Sequence, residues 1–212
     1  MAGMGKALGR IAGVAAAVLL TWAVPLPAWA QSQDGADAAA RLVAAGIERT
    51  RHRVTYDGSY HRIAYPGGDV PENIGVCTDV VIRAYRAGLG IDLQREVHED
   101  MKAAFAKYPK IWGLSRPDSN IDHRRVPNLE TFLARHGETL PVTDDPDDYK
   151  PGDLVTWRLT GTGLPHIGIV TDQRALLTGN PLIAHNIGRG PELGDMLFDY
   201  RISGHFRYLP GG

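Results

Sequence analysis

Residues 75–90 read GVCTDVVIRAYRAGLG. Apolar side chains recur at Val80, Val81, Ala84, Tyr85 and Leu89, the spacing of a helix with one buried face. Arg83 and Arg86 fall on the outer face of that helix, and Gly88 and Gly90 supply a C-terminal stop. The preceding run, YPGGDVPENIG, is dense in turn formers, so the helix does not extend backwards. Cys77, the only cysteine in the chain, therefore stands at or near a helix N-terminus. Unpaired N–H groups and the macrodipole there favour a thiolate. Asp79 in the first turn acts the other way on the thiol, so the sequence leaves the sign of the net shift open.

The chain opens with an exported protein's pattern. Lys6 and Arg10 precede an apolar stretch from Ile11 to Val24, and Ala28-Trp29-Ala30 gives the small-x-small pattern of a cleavage site. The apolar run is shorter than the roughly 20 residues of a membrane-spanning helix, and Pro25 and Pro27 close it. The expectation is a signal peptide over residues 1–30 and a periplasmic or extracellular chain over 31–212, with no membrane span once the leader is gone. Residues 31–40, small and polar, read as a loose N-terminal arm. The chain has 23 basic and 24 acidic residues, and the only two charges in the leader are basic. A mature chain with that slight acidic excess lacks the footprint of a nucleic-acid binder. Its length suits one domain with a real core, read here as a monomer.

A single cysteine in an oxidising compartment makes no internal disulfide. It is a buried hydrophobe, an intermolecular bridge or a reactive thiol. A nucleophilic thiol needs a base and an orienting group. Of eight histidines, His52, His61, His98 and His136 sit among charged residues or on helix surfaces, and His205 opens the apolar run HFRYL. His166 opens HIGIVTD, and His185 ends the strand-like PLIAH. Just upstream, Pro151-Gly152-Asp153 makes a turn before the strand LVTWRL. The order is nucleophile on a helix, then base and orienter on strands of one small α+β domain.

That combination resembles the NlpC-type cysteine peptidases, papain-like hydrolases that cut peptidoglycan stem peptides. Tyr65-Pro66-Gly67-Gly68 precedes Gly75-Val76-Cys77; Tyr85, Gly88 and Ile91-Asp92-Leu93 follow; Pro151-Gly152-Asp153 and His166-Ile167-Gly168-Ile169 come next, and His185 ends the following strand. The chain more closely resembles an exported bacterial family of unknown function numbered 1287, through YPGGDVP, GVCTDVVIRAYR, YPKIWGL, RPDSNIDHRRVPNL, PGDLVTW, PHIGIV and HNIGRG. It departs from the NlpC pattern in having Cys77-Thr78-Asp79 where Cys-Ser-Gly is usual, and in a long insertion over residues 92–127.

The resemblance implies a papain-like fold, a nucleophile helix packed on a small antiparallel sheet, and an amidase or peptidase acting through an acyl-enzyme. Cys77 is then the nucleophile, His166 its base, and His185 the orienter, meeting the imidazole through Nδ1. Asn186, the neighbour of His185, is equally able chemically. Strand alternation lets only one of the two face His166. The Cys77 N–H, with Tyr65 as second donor, would hold the oxyanion. Asp69 after the Gly-Gly turn, Asp122, His123 and Arg124 in the insertion, and Arg189 on the Gly188–Gly190 loop are candidate substrate contacts. No metal or organic cofactor is expected, and the partner is peptidoglycan or a related envelope amide. Two other readings stay open. One is a non-catalytic envelope binding or assembly module. The other is a metal hydrolase built on His166, His185 and a third ligand such as His123, although HExxH is absent.

Overall fold

A computed structural model describes Met1 and residues 28–210, with side chains from residue 34 onward. Most of the expected leader falls outside the described residues. The elements run α1 (Ala28–Arg49), β1 (Thr55–Tyr56), β2 (Ile74–Gly75), α2 (Cys77–Leu89), α3 (Leu93–Ala104), α4 (Val126–His136), β3 (Glu138–Thr139), β4 (Leu154–Arg158), β5 (Pro165–Arg174), β6 (Pro181–His185), β7 (Glu192–Gly194) and β8 (Arg201–Arg207). The last six strands form one antiparallel sheet in the order β3-β8-β4-β5-β6-β7. β1 and β2 make a separate two-stranded parallel pair beside the start of α2. Among the described residues, no helix is long and apolar enough to cross a membrane.

Strand alternation splits the sheet into two cores. Leu154, Ile167, Ile169, Ala184 and Phe206 face the helices and meet Val81, Ile82, Tyr85, Leu129 and Phe132. Val155, Trp157, Val170 and Ile183 face the other way and pack with Tyr149, Met196 and Leu197. Burying such aliphatic and aromatic side chains contributes about 1.5–3 kcal/mol each. The helix that Cys77 opens thus lies on an antiparallel sheet, an α+β arrangement.

The N-terminal arm is a correction. Residues 31–40 belong to α1, and Ala38 and Leu42, four apart, are buried. A helix face built of small residues gives little hydrophobic contrast in sequence, but it lets α1 approach α2 and the sheet closely. Gly46 of this helix sits against Ile169. Arg83 is a second correction. It is only 7% exposed, because the segment before Cys77 folds over it. Its guanidinium binds Asp69 through Nε at 2.8 Å and Nη2 at 3.2 Å, and Nη2 also reaches the Val70 carbonyl at 3.1 Å. α4 begins at Val126, with Pro127 in its first turn. Asn128 is fully buried and donates to the Asp122 carbonyl.

Candidate active site

Cys77 is the first residue of α2, and its side chain is 5% exposed. Asp79 secures the helix start by accepting the Val76 N–H at 2.6 Å. Arg124 neutralises that carboxylate from the insertion, with Nε to Oδ1 and Nη2 to Oδ2 both at 2.9 Å. The same guanidinium donates to the carbonyls of Ser59 and Asp57, each at 3.1 Å. Arg124 therefore joins three separate segments around the cysteine, and its donors are committed to protein oxygens.

Cys77 packs in the same buried cluster as Ile167 of β5, and the backbone amides of Ile167, Thr78 and Cys77 favour its thiolate. Ile167 lies in β5 opposite Thr156 of β4, while pairing of β5 with β6 reaches only Ile169–Ala184 at this end. Asn186, just past β6, donates Nδ2 to the Gly75 carbonyl at 3.4 Å.

His166 is adjacent to Ile167 in the chain, and His185 ends β6. Both are buried, with 1% and 3% exposure. His166 Nε2 and His185 Nδ1 are 3.2 Å apart, and the rings meet edge to face. The expected contact through His166 Nδ1 is thus reversed: Nε2 meets His185, and Nδ1 is left for another partner. Gly194 makes room for His185, since a Cβ there would lie 2.5 Å from its Nε2. Trp157 backs His166, with ring centroids 5.8 Å apart. Asn186 does not reach His166; its Oδ1 accepts the Gly188 N–H at 3.1 Å and ties down the Gly188–Gly190 loop.

Burial sets the resting protonation. It pushes the Cys77 thiol up to about 12, with the Asp79 charge adding to the shift and the three amides opposing it. It lowers His166 to about 3, helped by His185, and lowers His185 to about 4. At neutral pH the closed site therefore holds a thiol and two neutral imidazoles.

The remaining expected contacts divide. Tyr65 is 39% exposed and gives its hydroxyl to Glu99 of α3, away from an oxyanion role. The tyrosine next to the thiol is Tyr56, in register with Gly75 two residues before Cys77. Burial raises the Tyr56 hydroxyl to about 12, with the charges of Cys77 and Asp79 contributing. Its two-residue strand is too short for a sequence pattern, and an aromatic after VT was the only signal. Asp69 is committed to Arg83, and Asp122 accepts the Asp118 N–H and an Arg125 bond at 2.9 Å. His123 is 2% exposed and lowered to about 4 by burial first and Arg124 second. Asp69, Asp122 and Arg124 thus hold the protein together rather than line a surface. Arg189 is exposed and makes no side-chain hydrogen bond or ion pair among the described residues. Also among the described residues, no three His, Cys, Asp or Glu side chains cluster as metal ligands do.

A buried helix-start thiol packed on an antiparallel sheet that also carries a histidine pair defines a class: α+β proteins with a candidate cysteine–histidine centre. Residues 43–208 match the family described as "Domain of unknown function (DUF1287)", and the chain belongs to that family. It is 57% identical over 154 residues to the "Uncharacterized protein YijF" of Escherichia coli strain K12, covering 73% of this chain and 74% of that one. Two solved structures of an N-acetylmuramoyl-L-alanine amidase from Bacteroides uniformis are similar at 15% and 14% identity. Their TM-scores are 0.43 and 0.42; they cover 82% and 84% of this chain, and 98% and 99% of their own.

Proposed function

We infer that this protein is an exported cysteine amidase or peptidase of papain-like, NlpC type, acting on peptidoglycan stem peptides or a related envelope amide. The observation that carries the reading is the placement of a buried helix-start thiol and a histidine pair on one strand system: Cys77 packs in one cluster with Ile167, the neighbour of His166 in the chain, and His166 Nε2 lies 3.2 Å from His185 Nδ1.

When His166 Nε2–H donates to His185 Nδ1, His166 Nδ1 is the unprotonated nitrogen. It takes the thiol proton as sulfur attacks the amide carbonyl carbon. The amides of Cys77 and Ile167, with the Tyr56 hydroxyl, are the donors closest to the developing oxyanion. Collapse breaks the C–N bond, and His166 returns its proton to the departing amine. A water molecule, deprotonated by His166, then attacks the thioester, releases the acid and restores the thiol. His185 fixes the tautomer throughout. A neutral resting pair suits this sequence, because proton transfer accompanies attack and no ion pair has to be buried beforehand.

Incubation of the protein with purified soluble peptidoglycan fragments, followed by mass spectrometry, tests the reading. Products differing by one cleaved amide are expected from the wild type and absent with Cys77→Ala. Products that persist undiminished in Cys77→Ala would point to other chemistry.

A further inference from the structure

The insertion expected to wall the substrate does so with residues other than Asp122, His123 and Arg124. A cavity of about 510 Å³ opens between its loop and the segment after β1, with Tyr60, His98, Ser115, Arg116, Asp118 and Asn120 in its wall. The single carboxylate there already accepts three hydrogen bonds. Asp118 accepts from Tyr60 Oη at 3.1 Å, Asn120 Nδ2 at 2.8 Å and the Asn120 N–H at 2.9 Å. Arg116 is exposed and makes no side-chain hydrogen bond or ion pair among the described residues. His98 Nδ1 is buried without a partner. Arg62 sits close enough to Tyr60 to lower its hydroxyl pKa against the larger upward effects of burial and Asp118. An exposed guanidinium without a protein partner, on a wall whose one carboxylate already accepts three hydrogen bonds, is suited to pair with an anion that offers a planar oxygen pair, such as a carboxylate.

The cavity is also close along the chain to the start of the Cys77 helix. Tyr60 is four residues from Tyr56, so its wall is at most about 14 Å along the chain from the tyrosine beside Cys77. Arg124 anchors the intervening carbonyls of Asp57 and Ser59 to the same Asp79 that starts the nucleophile helix. That bound corresponds to at most about four extended residues of a peptide.

We propose that the Tyr60–His98–Arg116 cavity binds a free carboxylate of a peptide substrate, a few residues from the amide that Cys77 attacks. The proposal rests on the amidase reading for the word substrate, but its binding test does not. Cys77→Ala protein is titrated calorimetrically with soluble peptidoglycan fragments, and in parallel with the same fragments after their carboxylates are converted to primary amides. The acidic fragments are expected to bind roughly tenfold more tightly than the amidated ones, as for a lost charged hydrogen bond. Adding Arg116→Ala, an exposed change that leaves the fold intact, is expected to erase that difference, and Arg116→Lys to restore part of it. In the enzyme with Cys77 intact, Arg116→Ala raises KM about tenfold and leaves kcat within twofold. Equal binding of acidic and amidated fragments, no binding of either, or a preference that survives Arg116→Ala would each overturn the proposal. Binding that follows the proposal in a protein that cleaves nothing would leave the subsite standing and sink the amidase reading instead.

Discussion

At the residue scale, the decisive contact is His166 Nε2 to His185 Nδ1 at 3.2 Å. It sets His185, not Asn186, against the His166 imidazole. An orienting residue acts through position and tautomer, so its loss leaves slow chemistry behind. Turnover is expected to fall about a hundredfold or more in His166→Ala, substantially in His185→Ala, and least in Asn186→Ala, with all three folded by circular dichroism. A larger loss from Asn186→Ala than from His185→Ala would reassign the role. The protonation states make a separate prediction. With the thiol pushed up to about 12 and His166 down to about 3, Cys77 is not a preformed thiolate at neutral pH. In the folded protein its alkylation by iodoacetamide should keep rising from pH 7 to pH 10. A rate already at its plateau by pH 6 would show a resting thiolate–imidazolium pair.

At the element scale, the start of α2 is held by what surrounds it. The Tyr65–Asp69 turn is tied to Asp92 through the Gly67 N–H at 2.7 Å and to Gln94 through the Gly68 N–H at 2.9 Å. A Cβ on Gly68 would lie 2.0 Å from the Ala64 carbonyl oxygen, a backbone atom that cannot step aside. Gly68→Val is therefore expected to displace the turn and lower the melting temperature by several degrees or more, where a surface change would cost little. An unchanged melting curve would show the close approach to be tolerated. Asp79–Arg124 is buried on both sides, with 3% side-chain exposure each. Removing one partner leaves a buried charge alone, so Arg124→Ala should destabilise by about 3–5 kcal/mol in urea unfolding.

The elements also show what was legible beforehand. The helix after Cys77 and the strands around His166 and His185 carried clear period and turn signals, and all are present. What escaped were pairings between segments far apart in the chain. Tyr56 reaches the thiol only because β1 lies beside β2, and Arg124 looked like a substrate contact because its partner is 45 residues away. α1 was missed because alanine and glycine bury a face without announcing one. Periodicity reports local burial; it carries no register between remote strands and no choice of ion-pair partner.

At the scale of the whole molecule, burial of neutral histidines sets an acid limit. His123, His166 and His185 are lowered from 6.5 to about 4, 3 and 4. The unfolded chain takes up these protons first, so stability is full above about pH 6.5 and is lost as pH falls toward 4. The melting temperature should be flat from pH 7 to 8 and drop between pH 6.5 and 4, with a shallower drop in His166→Ala. A curve indifferent to pH over that window would mean that the histidines are hydrated. The buried centre contrasts with Arg116 and Arg189, which are exposed and make no side-chain hydrogen bond or ion pair among the described residues. The central claim is that Cys77 forms a covalent acyl-enzyme. Acid-quenching the protein during reaction with soluble peptidoglycan fragments, then taking its intact mass and mapping the adduct, tests this directly. The account predicts an added acyl mass on the Cys77 peptide, absent with Cys77→Ser or with Cys77 alkylated beforehand. Full fragment cleavage by protein whose Cys77 is alkylated or replaced would contradict it.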